Sequence, residues 1–174
     1  MHTVWSRANA LFFFTLTAMA VVAVLCDISG FILEERVATT HIPDLKIKSV
    51  KHNRGRYHNF DEAKVQLNLN ADFSDFFTWN VKQLFVYIQA SYISKDGVDN
   101  RLVLWDTIMP RSGQHKIDLV NQVPEYKLYD TLSGLSEATL NISVNWDVMP
   151  QVGLLHPHQG HSQTFTLPKI EHKK

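Results

Sequence analysis

The chain has 174 residues, which is enough for one domain with a hydrophobic core beside one membrane-spanning segment. Its 17 basic and 17 acidic residues balance, so no net charge attracts nucleic acid, and we expect no nucleic-acid partner. The single cysteine is Cys26, so no intrachain disulfide can form and the domain must be stabilised by packing.

The most hydrophobic part of the chain is the segment 8–26, which contains no charged side chain. As a helix it would be about 28 Å long, which matches the hydrocarbon layer of the endoplasmic reticulum, about 27 Å thick. Arg7 precedes the segment, whereas Asp27 and Glu34 follow it. The positive-inside rule then places residues 1–7 in the cytosol and the rest of the chain in the lumen. The sequence therefore predicts a single-pass type II signal anchor in contact with membrane lipid.

A cleaved signal peptide is the alternative interpretation of the same segment. Ala18-Met19-Ala20 has the small-x-small form of a cleavage site. Apolar sequence nevertheless continues from Val21 to Leu25, where a cleavable signal peptide should already be polar. We therefore favour the anchor; the alternative would make the chain a secreted protein.

The sequence after residue 43 predicts strands and little helix. Apolar and polar residues alternate most clearly in 65–71 and 139–149, which is the period of a strand with one buried face. Segment 81–93 is rich in Val, Ile, Phe and Tyr, which favours a central strand covered on both faces. Further strands are predicted at 45–50, 101–109, 114–120, 126–129 and 163–167. This pattern predicts an all-β luminal domain, an antiparallel β-sandwich, on a single N-terminal transmembrane helix.

The segments between the strands are predicted to be loops. Residues 72–79 contain four aromatic side chains, and we expect a turn or a short helical connector that closes one end of the core. Residues 52–62 are polar and residues 150–162 are rich in Pro, Gly and His, so both are predicted to be loops. The predicted order is a cytosolic end, an anchor, a connector, a luminal domain and a charged tail, at residues 1–7, 8–26, 27–43, 44–168 and 169–174.

The sequence shows no pattern typical of an active site. It contains no G-x-S-x-G motif, and no cysteine outside the apolar segment is present to act as a nucleophile. Serine, histidine and aspartate are all present, so a dispersed catalytic triad, and with it an anchored hydrolase, stays an alternative. We predict no catalytic residue, no cofactor and no small-molecule substrate.

His156, His158 and His161 form the one cluster with the spacing of metal ligands. Pro157 and Gly160, which lie between them, are typical of a solvated surface loop. We therefore predict a surface loop here and no metal site.

Asn141-Ile142-Ser143 is an N-glycosylation sequon. Asn141 falls on the polar side of the strand predicted at 139–149, and the predicted topology places it in the lumen. We therefore predict a glycan on Asn141, with a chance occurrence of the triplet as the alternative.

Four segments resemble the signal peptidase complex subunit 3 family, in the same order and over nearly the whole chain. The first is similar to the start of that family, just ahead of its single anchor. The second, the WNVKQLF block followed by Tyr87, is the most specific. The residues that carry the resemblance are Met1, Thr3-Val4, Ser6-Arg7-Ala8-Asn9 and Leu11-Phe12; Trp79-Asn80-Val81-Lys82-Gln83-Leu84-Phe85; Val103-Leu104-Trp105-Asp106 with Ile108; and Trp146, Val148 and Pro150.

The resemblance implies a single-pass glycoprotein of the endoplasmic reticulum membrane with a small cytosolic end and a luminal β domain. In that family the catalytic serine belongs to a different subunit, and this subunit supports it in removing signal peptides from nascent secretory proteins. The implied partners are the catalytic and other subunits of the complex. A secreted or anchored β-sandwich binding protein is the alternative function. Within the WNVKQLF block, we predict that Trp79, Asn80, Lys82, Gln83 and Phe85 either support the core or face a partner.

Overall fold

The computed structural model describes residues 3–38, 44–54, 61–94, 96–130, 135 and 137–167. In this part of the chain one α-helix is followed by eight β-strands, with a short 3₁₀ turn between the second and third strands. The bounds are Val4–Ala38 for α1, Asp44–Arg54 for β1, Asp61–Asp72 for β2, Ser74–Phe76 for the 3₁₀ turn, Val81–Ile93 for β3, Asp99–Pro110 for β4, Lys116–Gln122 for β5, Leu128–Asp130 for β6, Thr139–Pro150 for β7 and His156–Thr166 for β8.

Helix α1 contains the whole apolar segment and continues beyond it. It has 35 residues and is therefore about 52 Å long, whereas the hydrocarbon core of a bilayer is about 30 Å thick. Among the described residues it is the one helix long and apolar enough to cross a membrane. The sequence predicts a connector at 27–43, but residues 27–38 are helical, and 39–43 lie outside the described residues. Gly30, within this part of the helix, is buried against Asn80, and this packing offsets its low helix propensity.

The strands form two antiparallel sheets that share one core. Sheet A has the order β1-β2-β5, with the short β6 also paired to β2, and sheet B has the order β4-β3-β7-β8. Every pairing is antiparallel. The predicted all-β sandwich on a single apolar helix is therefore confirmed. Strand β3 lies inside its sheet as its composition predicts, but only its inner face is buried and its outer face is half-buried.

Inward-facing side chains of β2, β3 and β7 fill the core. Alternate residues of β2 are buried, as its period-two pattern predicts, and β3 shows the same alternation, whereas β7 is buried continuously from 142 to 146. Trp146 is the largest of the fully buried side chains. The buried set comprises Ala63, Val65, Leu67, Leu69 and Ala71 of β2, Leu84, Val86, Ile88 and Ala90 of β3, and Leu140, Ile142, Val144, Trp146 and Val148 of β7.

The 3₁₀ turn closes one end of the core, as predicted for the aromatic segment 72–79. Phe73 and Phe76 are each 1% exposed. Their ring centroids lie 5.6 and 5.3 Å from that of Trp146, and both rings meet the indole edge to face. The turn therefore packs directly on the largest side chain of the core.

Strand β8 differs from the predicted loop at 150–162. Only residues 151–155 form a loop, because β8 begins at His156 and pairs with β7 along its length. Pro157 is tolerated because β8 is the edge strand of sheet B, where a missing N–H leaves no gap in the hydrogen-bonded ladder. The three histidines therefore belong to a sheet, and the prediction of a solvated loop is wrong.

The β1–β2 hairpin also differs from prediction, which placed a loop at 52–62. Strand β1 extends to Arg54 and β2 begins at Asp61, and these two residues face each other in the register. Strand β1 lies at the edge of sheet A. Residues 55–60 of the predicted loop and the predicted charged tail, 169–174, lie outside the described residues.

Candidate functional site

The structure divides the WNVKQLF block among three environments. Trp79 is 53% exposed, whereas Asn80 is only 2% exposed. Lys82 is exposed, and Gln83 and Phe85 are half-buried on the outer face of sheet B, the face turned away from the core. The block therefore contributes one buried polar group and two outward-facing strand residues.

Asn80 fixes the loop 151–155, which joins β7 to β8. Its Nδ2 donates a hydrogen bond to the carbonyl of Val152 at 2.8 Å, and its Oδ1 accepts one from the N–H of Val152 at 3.2 Å. The main-chain carbonyl of Asn80 also accepts a hydrogen bond from the N–H of Gln151 at 2.7 Å. One buried asparagine therefore satisfies three main-chain groups of this loop.

Helix α1 holds the same loop from the other side. Asp27 Oδ1 accepts a hydrogen bond from the N–H of Leu154 at 2.9 Å and lies 3.5 Å from His156 Nε2. Gly153 has a φ of +126°, and a Cβ at this position would overlap Asp27 Oδ1. Close approach and backbone conformation therefore both require glycine at position 153.

A buried carboxylate–imidazole pair lies two turns further along α1. Glu34 is 0% exposed, and its Oε2 lies 2.6 Å from His156 Nδ1. The ring of Phe31 packs edge-on against His156, with the centroids 5.4 Å apart. Glu34 Oε1 has no hydrogen-bond partner among the described residues. Because Glu34 is fully buried, removing His156 would leave its carboxylate without this partner, so the pair helps to specify where α1 lies on the sandwich.

These contacts together form what we call the helix–sandwich junction: Asp27, Gly30, Phe31 and Glu34 of α1, Asn80, the loop 151–155, and His156 of β8. The partners are far apart in sequence, 122 residues for Glu34 with His156 and 127 for Asp27 with Leu154. Periodicity and motifs within single segments therefore could not predict these contacts. The available signal was the seven-residue spacing of Asp27 and Glu34, which puts both on one helix face once the helix continues past Cys26.

The three histidines of the predicted cluster take different roles. His156 belongs to the junction, and the ring of His158 stacks on Trp146 with the centroids 5.8 Å apart. His161 is exposed. Within the described ranges, no group of three or more His, Cys, Asp or Glu side chains is placed to hold a metal ion.

His158 lies in an apolar environment at the end of the core. Its Nε2 is buried without a hydrogen-bond partner in the described part of the chain, and its ring is 6.3 Å from that of Phe76. Burial disfavours the charged imidazolium and lowers the pKa of His158 below its ordinary value of 6.5. Between the lowered pKa and 6.5 the unfolded chain binds more protons, so stability should fall as the pH drops through this range.

We expect the substitution His158→Phe to weaken this acid sensitivity. Phenylalanine keeps a ring against Trp146 but cannot be protonated, so acidification should lower the unfolding temperature less in the variant than in the wild type. Thermal unfolding of the full chain in detergent, measured above and below pH 6.5, checks this. The exposed His161, replaced by Gln, is the matched control. An unchanged pH dependence in His158→Phe would contradict the assignment.

The outer face of sheet B carries an apolar patch near the junction. Phe85 stacks on Tyr87 with ring centroids 5.3 Å apart, and Phe85 lies directly opposite Ile108 of β4, which is 57% exposed. Gln83 Nε2 contacts Met149 Sδ at 3.0 Å. We call Gln83, Phe85, Tyr87, Ile108 and Met149 the outer patch. It is a candidate partner surface, because four of its five side chains are apolar or aromatic and are exposed or half-buried on one face, and such clusters mark interaction sites.

Asn141 lies on the same outer face, towards the opposite end of β7, opposite Ser91. The predicted face is correct, but the predicted solvation is not: Asn141 is half-buried, and Ser143 and Asn145 are 4% and 5% exposed. The reason is that β7 lies between β3 and β8, whose outward side chains, including Gln89, cover its polar face.

Comparison with known proteins places this architecture in a family. A family model described as signal peptidase subunit matches residues 1–170, a range that includes α1 and both sheets. The chain belongs to the signal peptidase subunit family. The family predicted from the four sequence segments is therefore confirmed.

Three relatives show how far along the chain the similarity to the signal peptidase subunit family extends. Signal peptidase complex subunit 3 of Homo sapiens is 34% identical over 157 residues, which cover 89% of this chain and 87% of the relative. The protein of the same name in Caenorhabditis elegans is 36% identical over 165 residues, 94% of this chain and 92% of the relative. A Mus musculus protein named adipocyte-related X-chromosome expressed sequence 1 is 32% identical over 157 residues, 89% and 87% of the two chains.

Proposed function

We propose that the chain is a non-catalytic accessory subunit of the endoplasmic reticulum signal peptidase complex, and that it supports the catalytic subunit in removing signal peptides. The observation that carries this proposal is the similarity of nearly the whole chain to proteins named signal peptidase complex subunit 3. Its partners are the catalytic and other subunits of that complex. Helix α1 spans the membrane once, with the sandwich in the lumen.

The helix–sandwich junction suggests how such a subunit works. Because α1 continues from the membrane segment into the junction without a break, the sandwich is held in one orientation relative to α1. The outer patch then has a fixed position relative to the membrane-spanning helix. A subunit of this kind acts by position: it presents a rigid surface on which the luminal part of the catalytic subunit packs.

The outer patch is the part of the outer face that we expect to contact the partner, and a glycan at the sequon would limit how far this contact surface can extend. Phe85 and Ser91, which is opposite Asn141, are six residues apart on β3 and therefore about 20 Å apart. A glycan on Asn141 would cover the far end of the outer face and leave the patch free. We infer that the catalytic subunit packs on the half of this face nearest the junction.

Co-purification tests this proposal. The tagged full chain is recovered from detergent-solubilised membranes, and the bound chains are identified and quantified. We expect the wild type to recover the catalytic subunit, and Ile108→Lys to recover several-fold less, because a charge in the patch must be desolvated on binding. Val120→Lys is the matched control: Val120 is 67% exposed and also on an edge strand, but in sheet A.

The two outcomes that would contradict the proposal are distinct. Recovery of no signal peptidase subunit with the wild-type chain would overturn the function. Equal recovery with Ile108→Lys and Val120→Lys would leave the function and overturn the assignment of the outer patch.

We further propose that Asn141 carries a glycan. The substitution Asn141→Gln should increase mobility in gel electrophoresis by one glycan and remove the shift caused by endoglycosidase H. Ser143→Ala destroys the sequon without changing the asparagine and should give the same two results. The free energy of unfolding should change by about 1 kcal/mol or less in Asn141→Gln, because the side chain faces outward. An unmodified wild-type chain in glycosylation-competent membranes would contradict the luminal topology or the accessibility of this face.

A further inference from the structure

The loop 151–155 presents apolar side chains to solvent beside α1. Val152, Leu154 and Leu155 are 44%, 72% and 50% exposed. The loop sequence, QVGLL, contains no charged residue. Exposed leucines at a loop tip cost free energy in water unless something covers them.

The position of this loop along α1 is fixed by its hydrogen bonds. The N–H of Leu154 binds Asp27, which is the first charged residue after the apolar segment 8–26. The start of the loop is held by Asn80. The apolar tip therefore lies at the level where the membrane-spanning part of the helix ends.

The burial pattern of α1 changes at the last turn of that apolar segment. Ala23 and Cys26 are half-buried, whereas Ala18 and Ala20 are exposed. Ala23 lies four residues before Asp27 and so shares its helix face. On this face α1 is therefore partly buried from about one turn before Asp27, within the segment 8–26 that we expect lipid to surround.

We propose that the loop 151–155 enters the interfacial layer of the bilayer and forms a second membrane contact beside α1, with Leu154 and Leu155 against lipid. We expect lipid to cover these side chains because the loop is uncharged and lies next to the end of the membrane-spanning segment. Apolar side chains that lie at such a boundary are buried about 5–10 Å into the headgroup and acyl layer. Trp79, half-exposed and adjacent to Asn80, is the residue type that membrane interfaces favour.

A second contact has a mechanical consequence for the domain. A single helix leaves the sandwich free to tilt with α1, whereas two contacts fix its tilt and the height of the outer patch above the bilayer. The inference rests only on α1 spanning a membrane, so it holds even if the chain has no peptidase partner.

Fluorescence quenching by spin-labelled lipid tests the contact. The full chain carrying Cys26→Ser receives a single new cysteine, either Leu155→Cys or Val98→Cys, labelled with an environment-sensitive fluorophore. Val98 is the matched control because it is 56% exposed and lies in the β3–β4 loop, at the other end of the 13-residue β3 and about 40 Å away. The labelled chains are reconstituted in phosphatidylcholine vesicles, with or without lipid that carries a nitroxide near the headgroup.

We expect the label at position 155 to emit at shorter wavelength and to be quenched by nitroxide lipid several times more than the label at position 98. Equal, weak quenching at both positions would overturn the proposal. A short-wavelength emission at position 155 without lipid quenching would also overturn it, since protein would then cover the loop.

Discussion

Replacing Trp146 by alanine is expected to lower the free energy of unfolding by about 3–5 kcal/mol. The indole is 1% exposed, and the rings of Phe73, Phe76 and His158 lie 5.6, 5.3 and 5.8 Å from it, centroid to centroid. Alanine would remove all three ring contacts and leave a cavity between β7 and the 3₁₀ turn, which the rigid surroundings can fill only in part.

Trp79→Ala is the matched control for this prediction. Trp79 is 53% exposed, so its truncation should cost about 1 kcal/mol or less. The two variants are compared by thermal or denaturant unfolding of the full chain in detergent. An equal loss in both would mean that the burial of Trp146 does not determine the stability of the core.

Replacing Asn80 by alanine is expected to cost about 2–4 kcal/mol, because the N–H and C=O of Val152 lose their side-chain partner at a nearly closed site. A methyl group cannot replace the 2.8 and 3.2 Å hydrogen bonds, and only the main-chain hydrogen bond from the N–H of Gln151 would still join the loop 151–155 to residue 80. Asn70→Ala, at an exposed position of β2, is the control and should change the stability by about 0.5 kcal/mol or less.

Gly153→Ala tests the same junction without touching Asn80. The positive φ and the overlap with Asp27 Oδ1 should together cost at least about 1–3 kcal/mol. Gly97, in the β3–β4 loop, also has a positive φ of +78°, but a Cβ added there would have no heavy atom within 4 Å beyond its own residue and its two chain neighbours. If Gly97→Ala destabilises the chain as much as Gly153→Ala, backbone strain alone is responsible and the contact with Asp27 is not.

Much of the sandwich was predictable because its buried strands follow simple rules. The alternation of Leu140, Ile142, Val144 and Trp146 has the period of a strand that packs one face on a core, and the structure buries all four. The apolar composition of 81–93 likewise predicted a central strand, although the outer face of β3 is half-buried and not fully covered. In these strands the local sequence and the global fold agree.

The elements that the sequence missed are those that distant contacts determine. Residues 27–38 contain Gly30 and several charged residues, which favour a connector by local pattern, whereas contacts of Asp27, Gly30 and Glu34 with the sandwich support the helix. Strand β8 contains Pro157 and Gly160, and only its place at a sheet edge makes them acceptable. The pairing of Glu34 with His156 joins the two ends of the chain and has no local signature.

The proposed function is tested most directly by cleavage of a secretory precursor with the complex reconstituted from purified subunits in lipid vesicles. The rate of signal-peptide removal is measured with the complete set of subunits, with this chain omitted, and with this chain alone. We predict that the complete set cleaves, that omission lowers the rate severalfold, and that the chain alone cleaves nothing. Cleavage by the chain alone, or a rate unaffected by its omission, would contradict a supporting, non-catalytic role.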